Sequence, residues 1–177
     1  PLLQVKFLIT LFKELKKRNI PTAIDTSGMV DITDDIKELL GITDLVLLDI
    51  KHINDEKSKN LVGFSNKKEL EFARYLSDNN IPVWIRQVII PGITDNENDL
   101  LELKKFISSL KNVQNIELLP YHELGKSKWE NLGLEYELEG VCSATSEDIE
   151  RVKKIYNKDL GIEETRPFND EELKIIA

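Results

Sequence analysis

Residues 44–51 read Asp44-Leu45-Val46-Leu47-Leu48-Asp49-Ile50-Lys51, and this stretch decides the fold class. Its apolar residues form an almost continuous run, which is typical of a parallel strand buried on both faces. Further strand patterns lie on either side of it, at residues 21–26, 83–90 and 116–121. The sequence therefore predicts four strands of one parallel sheet.

Helical patterns separate these strands. In the first helix, apolar residues such as Leu3, Phe7 and Leu11 recur at three- and four-residue spacing with charged residues between them. The predicted helices cover residues 2–18, 33–40, 55–61, 67–78, 97–110 and 146–156, with Ser146 as the cap of the last one. Because parallel strands need crossover connections, this alternation predicts an α/β fold with helices outside the strands, as an open sheet or a barrel.

The composition narrows the class of protein and of partner. A chain of 177 residues with 41% hydrophobic content is long and apolar enough for one globular domain. Its formal net charge of -8 argues against nucleic acid as a partner, because phosphate binding needs clustered lysine and arginine. No apolar run approaches the roughly 20 residues of a membrane span, and the N-terminus lacks a signal-peptide pattern. The cytoplasm is therefore the predicted location, with no membrane partner.

The sequence leads to a separate prediction for each end of the chain. The chain starts at Pro1, its only methionine is Met29, and its first helix has no strand before it. We expect it to be part of a longer protein; a processed N-terminus on a complete domain is the alternative. Residues 161–177 form an acidic tail with weak periodicity, either a short helix or a frayed end. The domain is therefore assigned to residues 1–160.

Polar residues at the carboxyl ends of the predicted strands are the candidates for function, because parallel α/β folds place their sites there. The first strand ends in Asp25, Thr26 and Ser27, where Asp25 is alternatively a turn or cap residue. Asp49 and Lys51 project to the same face of the second strand. They predict either a structural ion pair or a site for a zwitterionic ligand such as an amino-acid moiety.

The third and fourth strands add a cation and an imidazole. Arg86 lies in a run otherwise suited to burial and therefore needs an anionic partner, with Glu117 as a structural candidate. His122 follows the fourth strand and by itself resembles an ordinary surface histidine. The sequence has no phosphate-binding glycine loop, nucleophile elbow or metalloprotease helix. Its single cysteine, Cys142, cannot by itself hold a zinc ion or an iron-sulfur cluster.

Four segments taken together resemble the pyruvate formate-lyase activating enzymes of the radical S-adenosylmethionine (radical SAM) superfamily. They are residues 45–51, Asn60-Leu61-Val62-Gly63, residues 83–92 and Leu118-Leu119-Pro120-Tyr121-His122-Glu123-Leu124-Gly125-Lys126 with the following Trp129. The last string is the most specific. The resemblance runs in order from Pro1 to about residue 155.

The resemblance implies a partial (β/α)6 TIM-like barrel of the radical SAM type, truncated here to about four parallel strands with outer helices. In this family a Cys-x-x-x-Cys-x-x-Cys loop holds a four-iron four-sulfur cluster, and that loop would lie before Pro1. Reductive cleavage of S-adenosylmethionine then gives a 5′-deoxyadenosyl radical, which abstracts hydrogen from a glycine of pyruvate formate-lyase. Without cluster cysteines, the 177-residue chain alone is predicted to be inactive.

The resemblance also implies partners and site residues. Asp49, Ile50, Lys51 and His122 would contact S-adenosylmethionine, and Arg86 would face the cofactor cavity. A monovalent cation would lie at Asp25, Thr26, Leu47 and Asp49. Residues 123–129 would border the groove for the glycine-bearing peptide, and flavodoxin or ferredoxin would donate the electron. The alternatives are an activase of another glycyl-radical enzyme and a non-catalytic, truncated-barrel binding module.

Overall fold

The computed structural model describes residues 1–160 and contains one four-stranded sheet. Its strands are β1 (Ala23–Thr26), β2 (Leu45–Asp49), β3 (Val83–Ile89) and β4 (Val113–Pro120), in the order β1-β2-β3-β4. All neighbouring strands are parallel, as predicted. β4 begins three residues before its predicted start, because Val113 already pairs with Val83 ahead of a shift in register. The acidic tail at 161–177 lies outside the described residues.

Seven α-helices accompany the strands in residues 1–160. They are α1 (Val5–Lys17), α2 (Asp34–Leu40), α3 (Asp55–Val62), α4 (Lys67–Asp78), α5 (Glu97–Ser108), α6 (Lys126–Asn131) and α7 (Ser146–Leu160). The sequence did not predict α6 or the 3₁₀ turn Glu123–Gly125 before it, because six residues are too short for a periodic apolar pattern. None of these helices has the length and apolar content that a membrane crossing requires.

Side-chain caps define where several helices begin. Thr33 accepts a hydrogen bond from the main-chain nitrogen of Ile36 at α2, and Asn54 does the same for Lys57 at α3. At α7 the cap is Thr145 instead of the predicted Ser146. The Thr145 hydroxyl accepts from the main-chain nitrogen of Asp148, whose carboxylate accepts from that of Thr145.

The helices cover one face of the sheet only. Alternate strand residues such as Ile24, Leu48 and Ile85 are buried in one core with helical residues such as Phe72 and Leu103. The intervening residues are mostly half-buried and form the open face, which carries Asp25, Leu47, Asp49, Trp84, Arg86 and Glu117. The prediction of strands buried on both faces was therefore wrong for this side of the sheet, whereas the prediction of outer helices is confirmed.

Helix α1 and the 3₁₀ turn before it, Leu2–Gln4, carry two apolar stripes instead of the single predicted one. Ile9 and Phe12 are buried against the core. Leu3, Phe7 and Leu11 are 96%, 61% and 38% exposed. The three- and four-residue spacing predicted a helix correctly but did not distinguish the stripe that faces the core.

Candidate functional site

The register of the sheet brings three charged residues into one row on the open face. Asp49 of β2 lies opposite Arg86 of β3, which in turn lies opposite Glu117 of β4. Asp25 of β1 lies one row earlier, opposite Leu47. Since parallel strands end at the same edge, the candidate residues from four strands meet at the carboxyl end of the sheet.

Arg86 is the centre of this group. Its Nη1 donates to Asp25 Oδ2 at 2.6 Å, and its Nε lies 3.1 Å from Glu117 Oε2 and 3.7 Å from Asp49 Oδ1. Burial alone lowers the pKa of Arg86, but the carboxylates of Asp49, Asp25 and Glu117 outweigh burial and raise that pKa above its ordinary value. The expected anionic partner of Arg86 is confirmed, and it is a set of three carboxylates in place of one.

Asp49 and Lys51 form an ion pair, which is one of the two alternatives that their shared face predicted. Lys51 Nζ donates to Asp49 Oδ2 at 2.7 Å, and the two side chains are 32% and 22% exposed, Lys51 being the more open. The second oxygen, Asp49 Oδ1, is buried and makes no hydrogen bond; its nearest cation is the Nε of Arg86 at 3.7 Å. A buried carboxylate oxygen without a hydrogen bond costs about 1–3 kcal/mol, and the ion pair with Arg86 offsets part of that cost.

The group of charges is acidic as a whole. Asp25, Asp49 and Glu117 contribute three negative charges, and Lys51 and Arg86 contribute two positive ones. A ligand with a net positive charge that also carries a carboxylate would complement both features. A cleft of about 420 Å³ beside β1 is lined by Asp25, Asp49 and apolar residues that include Leu3 and Val30.

The predicted monovalent-cation residues are only partly brought together. Asp25, Thr26 and Asp49 line the same cleft. The side chain of Leu47 is apolar, so Leu47 would have to contribute its main-chain oxygen. The Asp25 carboxylate already accepts a hydrogen bond from Arg86, which would compete with a cation. Residues 1–160 contain no group of three or more histidine, cysteine or acidic side chains arranged for a metal ion, and Cys142 is exposed.

Ile50 and His122 differ from the other predicted cofactor residues. The Ile50 side chain is fully buried in the core, and its main-chain nitrogen donates to the Arg86 oxygen at 2.9 Å. Any ligand on the open face would therefore meet only its main chain. His122 is exposed directly after β4 and makes no hydrogen bond or ion pair with the described residues around Arg86.

Glu69 is a site residue that the sequence analysis missed. It lies in the first turn of α4, is 2% exposed, and its Oε1 accepts from the main-chain nitrogen of Lys51 at 2.7 Å. Burial raises the pKa of Glu69 to about 8. The available signal was an acidic residue on the apolar face of a helix, three and seven residues before Phe72 and Leu76.

The segment after β4 is held by aromatic contacts. The hydroxyls of Tyr121 and Tyr136 lie 2.7 Å apart, and the rings of Trp129 and Tyr136 meet edge to face at 5.9 Å. Lys126 pairs with Glu139 at 2.6 Å. Burial, followed by the contact with Tyr136, raises the pKa of Tyr121 to about 12. These contacts fix residues 121–139 beside the carboxyl end of β4.

The chain is similar in sequence to activating enzymes of known name. The chain is 50% identical over 155 residues to the pyruvate formate-lyase 1-activating enzyme of Escherichia coli K12, a match that covers 87% of this chain. It is 52% identical over 161 residues to the pyruvate formate-lyase-activating enzyme of Staphylococcus epidermidis, which covers 88% of this chain. The chain spans 63% of the length of either relative.

The fold has a solved counterpart. A domain of the pyruvate-formate lyase-activating enzyme from Bacteroides vulgatus matches with a TM-score of 0.75 and 23% identity, covering 93% of this chain and 92% of that one. This likeness confirms the partial α/β barrel. The family model of the radical SAM superfamily matches residues 1–104, which contain β1, β2, β3 and the site residues from Asp25 to Arg86. The chain therefore belongs to the radical SAM superfamily.

Proposed function

We propose that this protein activates pyruvate formate-lyase by reductive cleavage of S-adenosylmethionine, which installs a radical on a glycine of that enzyme. The observation that carries the proposal is the 50% identity to a pyruvate formate-lyase 1-activating enzyme over 155 residues. The aligned span is long enough to contain the whole charged group on the open face.

The charged group fits the amino-acid end of S-adenosylmethionine. This cofactor carries a sulfonium, an ammonium and a carboxylate, so its net charge of about +1 complements the net negative group around Arg86. Asp49, whose side chain is 22% exposed and lines the cleft beside β1, would accept from the ammonium. Lys51 and Arg86 would attract the carboxylate, while the main chain of Ile50 and the ring of His122 would contact the remainder. When bound, the cofactor supplies the sulfonium whose reductive cleavage starts the radical chemistry.

The proposed four-iron four-sulfur cluster does not fit the residues present. Such clusters are held by several cysteine thiolates, and this sequence has one cysteine. We propose that the cluster ligands are residues outside these 177. A monovalent cation beside Asp25, Thr26, Leu47 and Asp49 belongs to the same proposal, since oxygen ligands suit a hard ion.

The proposed partners follow from the same activity. Residues 123–129 border the carboxyl end of β4, where we place the groove for the glycine-bearing loop of pyruvate formate-lyase. Flavodoxin or ferredoxin is the proposed electron donor, and the cytoplasm the proposed location. Residues 1–160 are proposed as the C-terminal part of one radical SAM domain.

The test is installation of a glycyl radical. The full-length protein, with its cluster reconstituted without oxygen, would be incubated with S-adenosylmethionine, a reductant and pyruvate formate-lyase. Electron paramagnetic resonance should detect a glycyl radical on pyruvate formate-lyase, and Asp49→Asn should reduce its yield. A radical that forms only on a different glycyl-radical enzyme would favour the first alternative. Absence of cofactor cleavage with every partner would favour the binding module.

A further inference from the structure

The chain that follows β2 is held by the beginning of α4. β2 ends at Asp49, and the main-chain nitrogen of Ile50 still donates to Arg86 of β3. The next nitrogen, that of Lys51, donates instead to the buried side chain of Glu69 at 2.7 Å. At Lys51, therefore, the main chain is bound by the Glu69 side chain of α4 and no longer by a neighbouring strand.

A second side chain, that of Asn66, binds the main chain just after Lys51. Its Nδ2 donates to the main-chain oxygens of His52 at 2.9 Å and Ile53 at 2.5 Å. Asn66 is 3% exposed, so neither contact competes with bulk water. Glu69 therefore binds the donor of Lys51, and Asn66 binds the two acceptors that follow it.

Both residues lie at the beginning of one helix. Asn66 immediately precedes α4, and Glu69 lies in its first turn, anchored beside Phe72 and Ala73 in the core. We name Asn66 and Glu69 the β2 clamp. Because α4 is fixed by core packing, the clamp fixes the main chain of residues 51–53 relative to the sheet.

We propose that the β2 clamp is a positioning device for the cofactor site: it fixes the direction in which Lys51 leaves the main chain and so holds its ammonium between Asp49 and the carboxylate of the ligand. The clamp does not touch the ligand; it acts through Lys51. The inference rests on the proposed binding of S-adenosylmethionine and adds residues from a helix that lies outside the sheet.

A double-mutant cycle tests this role in the full-length protein. Titration with S-adenosylmethionine would be compared for the wild type, Glu69→Leu, Lys51→Met and the combination. Glu69→Leu removes the acceptor at similar volume and should weaken binding about tenfold. In the Lys51→Met background the same change should weaken binding less than about threefold, because there is no ammonium left to position.

Two control variants distinguish the loss of positioning from a general loss of stability, and a third variant is a substitute for Glu69→Leu. Glu69→Gln keeps an acceptor oxygen and should restore most of the affinity. Glu71→Leu changes an exposed acid on the same helix and should leave the affinity unchanged. If Glu69→Leu fails to fold, Asn66→Asp, which removes the amide donor at constant size, takes its place in the cycle.

The outcomes separate this inference from the proposed function. Equal losses of affinity in both backgrounds would overturn the positioning role and leave a purely structural one. Unchanged affinity in a folded Glu69→Leu or Asn66→Asp protein would overturn it as well. If the wild type itself does not bind S-adenosylmethionine, the proposed function fails and this inference fails with it.

Discussion

Arg86 holds three acidic side chains of the open face together. Asp25, Asp49 and Glu117 all approach a guanidinium that is 20% exposed. Removing the largely buried arginine is costly, because Asp49 and Glu117, each 22% exposed, then lose their compensating charge; Asp25 is 59% exposed and loses less. The arginine therefore matters for stability even without a ligand.

Arg86→Met is expected to lower the free energy of unfolding by about 3 kcal/mol, since the three carboxylates then face one another with Lys51 as their one remaining cation among the described contacts. Urea denaturation followed by circular dichroism would measure this loss. Arg18→Met is the matched control, because the exposed Arg18 pairs with Glu14 at the surface and its loss should cost no more than about 0.5 kcal/mol. Equal losses for the two variants would contradict the central place of Arg86.

The raised pKa of Glu69 predicts that the free energy of unfolding decreases as the pH rises. Burial raises the pKa of Glu69 to about 8 from its ordinary value of 4.5, so between these values the folded state holds a proton that the unfolded state has lost. Stability should therefore fall as pH rises through this window, by up to about 1.4 kcal/mol per pH unit. Glu69→Gln cannot titrate, and the difference between wild type and variant isolates this group from others such as His52.

Urea midpoints of wild type and Glu69→Gln at about pH 5, 6, 7 and 8 would measure this difference. The wild type should lose stability relative to the variant as the pH rises. A constant difference across the series would show that Glu69 does not carry its proton in the folded state.

The turn between β1 and α2 depends on close packing at Gly28. This residue has a φ of 67°, and a Cβ atom there would lie 3.0 Å from both Leu48 Cδ1 and Phe72 Cδ1. The Thr26 hydroxyl accepts from the main-chain nitrogen of Gly28 at 3.0 Å, which links the turn to the strand end that lines the cleft. The turn at Gly28, which follows Asp25 and Thr26 at the end of β1, therefore packs directly on Leu48 of β2 and Phe72 of α4.

Gly28→Ala should destabilise the fold by about 2–4 kcal/mol, which combines left-handed strain with overpacking. Gly63→Ala is the matched control, because Gly63 has a φ of 77° and a Cβ added there would meet no atom within 4 Å, so strain alone should cost about 1–2 kcal/mol. Thermal and urea unfolding would compare the two. A loss at Gly28 no larger than at Gly63 would rule out the packing argument.

The sequence predicted which strand ends carry polar groups and offered two of their contacts, Asp49 with Lys51 and Arg86 with Glu117, but not the contacts of Arg86 with Asp25 and Asp49. Apolar runs located all four strands, and alternation along β2 correctly paired Asp49 with Lys51. The row that joins Asp49, Arg86 and Glu117 depends on register between strands, which no local pattern specifies. The contact from Glu69 to Lys51 spans 18 residues and is set by the packing of α4, so periodicity pointed only to an acid on an apolar face.

At the scale of the whole molecule, a chain with a single cysteine is expected to bind S-adenosylmethionine without being able to cleave it. Cys142 is exposed and cannot hold a cluster by itself. After anaerobic reconstitution the 177-residue chain should bind no stoichiometric iron-sulfur cluster and should not cleave S-adenosylmethionine. Iron analysis and chromatography of methionine and 5′-deoxyadenosine would measure both, and stoichiometric iron with reductive cleavage would refute this expectation.

The central claim is that the open face binds the amino-acid end of S-adenosylmethionine, and a nuclear magnetic resonance titration of the isotope-labelled 177-residue chain tests it most directly. S-adenosylmethionine should shift the amide signals of residues 49–51 and of Arg86, and Asp49→Asn should reduce these shifts. Methylthioadenosine, which lacks the amino-acid moiety, should leave the Asp49 and Lys51 signals in place. Shifts confined to other surfaces, or equal shifts with both ligands, would contradict the account.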